Sequence, residues 1–230
     1  MDTTILMALI LGLTMGMSHA FDPDHLVAMS TFAAESESVR DASWLGFWWG
    51  AGHTLALGLV GGTVLILDLA IPPSWAVGME GLVGIMIIVL GGRLLWRVVR
   101  RPVIVHHHVH RHGQHIHRHF HLHGHEVPVH HHGEGTCMQA LLVGIVHGMA
   151  GSAALSVMVM ASMPTVWLGL VYMIVFGIGS IGGMLAMSAL MSLPFAFQHR
   201  LFSTWHRSLR MSTALVAIGF GCYLTWAALG

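Results

Sequence analysis

Apolar residues run in long blocks near 4–32, 44–68, 76–99, 137–162, 165–192 and 209–229, parted by short polar stretches and one long one. Each block reaches the roughly 20 residues a helix needs to cross a bilayer. The pattern predicts six transmembrane helices. The first block runs straight into a charged motif, with no basic start and no small-residue cleavage site, so it reads as a span and not as a removable signal.

Composition narrows the class. Apolar residues make up 55% of the 230 and Asp, Glu, Lys and Arg only 9%, against about a quarter in soluble domains. So few charges cannot build a solvated surface. The charges present are placed unevenly: there is no lysine, and the arginines are Arg40, Arg93, Arg97, Arg100, Arg101, Arg111, Arg118, Arg200, Arg207 and Arg210. With six spans, all ten fall in or beside the loops joining spans 1–2, 3–4 and 5–6. The positive-inside rule then puts those loops in the cytoplasm and both termini outside, in a multi-pass cell-membrane protein.

The chain also matches itself. "GMSH" at 16–19 returns as "GIVH" at 144–147, "WGAGHT" at 49–54 as "FGIGSI" at 176–181, and "IVLGGRLLW" at 88–96 as "VAIGFGCYL" at 216–224. The offsets are 128, 127 and 128 residues. Each half would hold three spans, and an odd number inverts the second half, a plan common among secondary transporters. The expected fold is an all-α membrane protein, with six transmembrane helices as two inverted three-helix repeats and a His-rich loop between the halves. Its parts are 1–100, the first repeat; 101–136, a flexible cytoplasmic loop; and 137–230, the second repeat.

Within the first span lies "HAFDPDH", residues 19–25. Burying an ionisable side chain in a membrane costs roughly 2.5 kcal/mol or more unless it is partnered, and here His19, Asp22, Asp24 and His25 come together. Pro23 has no N–H to give the carbonyl of His19, so the helix should open there and let the four side chains converge beside a cavity. Imidazole nitrogen with carboxylate oxygen suits Ni²⁺, Co²⁺ or Zn²⁺ better than Mg²⁺ or Ca²⁺. His53 in "WGAGHTLALG" and His147 in "GIVHGMAGSAAL" are the further candidate ligands, and His147 is the repeat counterpart of His19.

"HAFDPDH" resembles the H-x4-D-H signature of the nickel/cobalt transporter family. His19, Asp24 and His25 fall on the signature, and Asp22 fits its usual H-A-x-D-x-D-H form. "LGFWWGAGHT" is similar to that family's second histidine-bearing span, and "HGMAGSAAL" looks like shorter relatives grouped with urease-accessory and metal-efflux permeases. The resemblance implies that the first motif recognises the metal. The better-known nickel importers have more spans, so branch and transport direction stay open.

Between spans 3 and 4 stand His106, His107, His108, His110, His112, His115, His117, His119, His121, His123, His125, His130, His131 and His132. The composition is that of a metal-binding tract. With little to bury, it should be disordered without metal. At neutral pH most of these rings, with a reference pKa of about 6.5, offer lone pairs to late divalent metals, so the loop reads as a buffer or sensor. Loop 1–2, "ESESVRD", reads as a solvated turn, 195–210 as an interfacial amphipathic helix, and the 17 methionines as packing and lipid-facing residues.

These features point to secondary transport of Ni²⁺ or Co²⁺ by a non-enzyme with no prosthetic group. No GxxxxGK[ST] motif is present to use ATP, and proton coupling is chemically reasonable because protons compete for the same ligands. The partners would be the divalent ion, the lipid bilayer and a nickel chaperone, with no nucleic acid. A membrane-bound buffer or accessory protein delivering nickel to an enzyme such as urease is the main alternative, beside a metal-efflux permease. Electron transfer through Cys137 and Cys222 is disfavoured because they do not occupy equivalent repeat positions, and anion permeation because the motif is acidic.

Overall fold

A computed structural model describes residues 3–36, 38–69, 72–100, 105–112, 115–122, 134–149, 159–160, 162–198 and 203–230. Among these, seven helices form: α1 (Thr3–His19), α2 (Pro23–Glu35), α3 (Val39–Leu67), α4 (Pro73–Arg100), α5 (Glu134–Gly148), α6 (Val166–Gln198) and α7 (Ser203–Leu229). The regular structure among the described residues is helical apart from one two-stranded hairpin, β1 (Val105–His112) with β2 (His115–Leu122). Among the described residues, four helices are long and apolar enough to cross a membrane, and five spans result if the bent pair α1–α2 counts as one. The expected span over 137–162 is represented by α5, which is too short to cross; residues 150–158 lie outside the described residues.

Local sequence explains the helix ends. At α1–α2 the axis bends by 57°. The Phe21 N–H donates to the Ser18 carbonyl (2.9 Å) and the Asp22 N–H to that of His19 (3.1 Å), closing a tight turn. Pro23 then opens α2 in its first turn, where a missing N–H leaves no intrahelical bond unmade. At the start of α3 the Ser38 side chain accepts from the Asp41 N–H at 3.1 Å, a local cap for an orphan donor. Asp68 closes α3 in the left-handed region, φ 51°, which short polar residues tolerate.

Packing places α3 and α6 at the centre. They run antiparallel, with Gly46 against Ser188 at one end and Leu65 against Gly169 at the other. Helix α1 lies parallel along α6, α5 parallel along α3, and α4 pairs antiparallel with α7. Small residues set these distances, as in membrane bundles generally. A Cβ on Gly144 would meet the backbone of Trp49, and one on Gly148 the backbone of His53. The outside of the bundle is apolar: Leu59, Ile66, Val89, Ile174 and Val216 are exposed. Exposed tryptophans form two sets, Trp75, Trp167 and Trp226 at one end, Trp44, Trp96 and Trp205 at the other. Such paired girdles mark the two interfaces of a bilayer.

One expectation needs correction. Part of the histidine loop is ordered as a hairpin, because His alternates with Val105, Val109, Ile116, Phe120 and Leu122, a period-two pattern with β-branched and aromatic residues that suits strands. Of the interfacial helix expected over 195–210, residues 199–202 lie outside the described residues. The apolar run of α6 carries on through "FAFQ" to Gln198, and α7 begins at Ser203.

If close approach at Gly144 positions α5, Gly144→Leu is expected to destabilise the bundle by ~1–3 kcal/mol and lower its thermal transition in detergent. Gly182→Ala, with nothing near the added Cβ, is the control. Equal transitions for the two variants would remove this account of the α3–α5 contact.

Candidate metal centre

The break at residues 20–22 turns the end of α1 and the start of α2 toward α3 and α5. His19 ends α1, Asp22 precedes α2, Asp24 and His25 lie in its first turn, His53 is central in α3, and His147 is in the last turn of α5. Four histidines and two aspartates from four helices thus come together. His53 and His147 are fully buried, His25 and His19 nearly so, and Asp22 is the most open member, with 38% of its side chain exposed.

Hydrogen bonds orient the rings. Asp22 caps no backbone N–H with its side chain; its Oδ2 instead lies 2.7 Å from His19 Nδ1. That carboxylate favours the Nδ1–H tautomer, which turns the Nε2 lone pair toward the cluster, as outer carboxylates do for metal-binding histidines. His19 Nε2 is 3.0 Å from His53 Nε2, so the proton in that contact belongs to His53. His147 Nε2 lies 2.9 Å from Asp24 Oδ2, and Asp24 Oδ1 accepts from the His25 backbone N–H at 3.0 Å. His25 Nδ1 stands 3.3 Å from that same oxygen without the alignment of a hydrogen bond.

Several nitrogens are left over. His25 Nδ1 and Nε2, His53 Nδ1 and His147 Nδ1 are buried and have no hydrogen-bond partner. Each buried polar atom without a partner costs about 1–3 kcal/mol. A concentration of them in one place is the signature of groups arranged for something other than each other. A divalent cation would take the lone pairs among them, one from each ring, and the donor types fit a borderline ion. Two overlapping sets have donor atoms within 4.8 Å of one another: His19, His25 and His53, and Asp24, His25 and His147.

Aromatic walls enclose the cluster. The His25 ring lies nearly parallel to Trp49, centroids 5.8 Å apart, and Phe176 covers His19 at 5.5 Å. The role of Trp49 was missed in the sequence, although its position four residues before His53 puts both on one face of α3. Missed too was Glu35, whose Oε2 pairs with Arg97 (2.9 Å) and Arg93 (3.6 Å). Arg93 also donates to Gln139 Oε1 at 2.7 Å. That network ties α2, α4 and α5 together where a solvated turn was expected.

Of the loop histidines, register pairs His106 with His121, His108 with His119, His110 with His117 and His112 with His115, so these eight positions share one hairpin face. His107 falls on the other. His123, His125, His130, His131 and His132 lie outside the described residues. Cys137 and Cys222 are free thiols.

If Asp22 holds His19 in its metal-ready tautomer, Asp22→Asn is expected to weaken Co²⁺ binding ~10–100-fold, read from the cobalt absorption of the purified protein. Unchanged affinity would leave Asp22 a solvated residue.

No family model and no solved structure matches the chain. A urease accessory protein, UreH, of Bacillus sp. (strain TB-90) is 31% identical over 219 residues, covering 95% of this chain and 90% of that protein. At that identity, over nearly the whole of both chains, the protein belongs to the family of urease accessory protein UreH.

Proposed function

We propose that the chain carries Ni²⁺, or Co²⁺, across the membrane as a secondary transporter of the nickel/cobalt transporter type, through His19, Asp22, Asp24, His25, His53 and His147. The observation that carries this reading is the convergence of five candidate ligands from four helices at a broken span, with Asp22 behind His19 and four buried imidazole nitrogens unpartnered. A protein merely tethered to the membrane has no use for such a cluster inside its bundle. Kinship with a urease accessory protein favours nickel, and Pro23 supplies the helix break.

Six spans in two inverted repeats suit the packing. The parallel pair α1–α6 is the counterpart of the parallel pair α5–α3 when the halves are exchanged, and α3–α6 and α4–α7 map onto themselves. His147 then answers His19, and Ser180, fully buried with its Oγ unpartnered, answers His53. Rocking of one parallel pair against the other would open the cluster to each side in turn. The helical arginines Arg40, Arg93, Arg97, Arg100, Arg207 and Arg210 all stand at the Trp44–Trp96–Trp205 end. The positive-inside rule makes that end cytoplasmic, with the histidine loop beside it and both termini outside.

The loop hairpin acts as a cytoplasmic buffer for the ion and a handover point for a nickel chaperone. Its eight in-register histidine positions share one face. Binding there weakens as pH falls through about 6.5, because protonated rings lose their lone pairs. The second reading, a membrane-bound nickel buffer, rests on this face alone.

Elemental analysis of cells separates the two. Wild-type protein is expected to change cell nickel, upward for import or downward for export, while His25→Ala, expressed equally, leaves it at the vector level. Replacing His108, His110, His117 and His119 with Ala should keep the change but move the external nickel concentration at which it appears. Loss of the effect with the hairpin variant and its survival in His25→Ala would favour the buffer.

A further inference from the structure

We propose, on top of the transport reading, that the cluster offers the ion two alternative positions that share His25 and are filled one at a time. The first is built from His19, His25 and His53, the second from Asp24, His25 and His147. They differ in character. The first is a set of three imidazoles, its His19 oriented from outside by Asp22 at 2.7 Å. The second includes a carboxylate and carries its negative charge directly to the ion. The first joins α1 to α3 across α2, the second joins α2 to α5.

His25 is the hinge of the arrangement. Its ring stacks on His147 with centroids 4.2 Å apart and meets His19 and His53 edge-on at 4.7 and 5.1 Å. His19 and His147 are each held by an aspartate, whereas neither ring nitrogen of His25 has a hydrogen-bond partner. A neutral imidazole has a single lone pair, since its other nitrogen carries the proton. One ring therefore cannot serve both positions at once without losing that proton, and the positions exclude each other. Passing from one to the other exchanges two ligands and keeps the third, so the ion is not stripped of its whole shell inside the bundle. Carboxylate in only one of the two sets gives the exchange a direction in charge.

The test is a matrix of Co²⁺ affinities for the full chain in detergent, read by cobalt absorption. The signal of His25→Ala, which lacks both positions, supplies the contribution of the loop. His53→Gln removes the first position; His147→Gln and Asp24→Asn each remove the second. Two positions require that Asp24→Asn added to His147→Gln changes affinity less than about twofold, while Asp24→Asn added to His53→Gln weakens it more than ~10-fold. A single common centre requires both double variants to weaken binding alike, and that result would overturn the two-position proposal while leaving the transport reading in place. Wild-type signal no greater than that of His25→Ala would overturn both.

Discussion

Everything about this bundle turns on imidazole lone pairs placed in an apolar interior with nothing in the protein to receive them. Water would satisfy them at the surface, and in a membrane core the protein must do so or leave the cost standing. Here Asp22 and Asp24 engage one nitrogen of His19 and of His147, and His53 leans on His19. The rest stay unmatched. A stable helical bundle without a cation to hold would gain by replacing these groups with apolar ones of similar volume.

The remainder of the architecture keeps those groups within reach of one another. A bend of 57° directs two helix ends inward where a straight span would scatter them along its length. Glycines let α5 settle against the backbone of α3, so that His147 and His53 lie in one cluster. Trp49 and Phe176 wall it off, and the ion pairs of Glu35 with Arg93 and Arg97 hold the far end of α2. The parallel pairs α1–α6 and α5–α3 meet at the antiparallel α3–α6 contact, and the cluster lies where they join.

Much of this was legible from the chain. Apolar blocks located the four long helices to within about six residues at either end, since a helix that faces lipid must stay apolar over its whole length. Pro23 marked the break, because a missing N–H has a local consequence independent of tertiary context. What escaped the sequence depended on distance in three dimensions. Nothing in "WWGAGHT" says that Trp49 faces His25, and Glu35 finds its arginines only because α4 returns beside α2. The hairpin was hidden by composition: fourteen histidines suggest a solvated tract, while the Val, Ile and Phe interleaved with them carry the strand signal.

Nickel flux into liposomes bearing the purified wild-type chain tests the central claim most directly, with a nickel-quenched dye sealed inside. The account predicts saturable quenching by the wild type and none by folded His25→Ala. Tight nickel binding by the wild type without any flux would contradict it, and would make the cluster a place where the ion is kept and not a route by which it crosses.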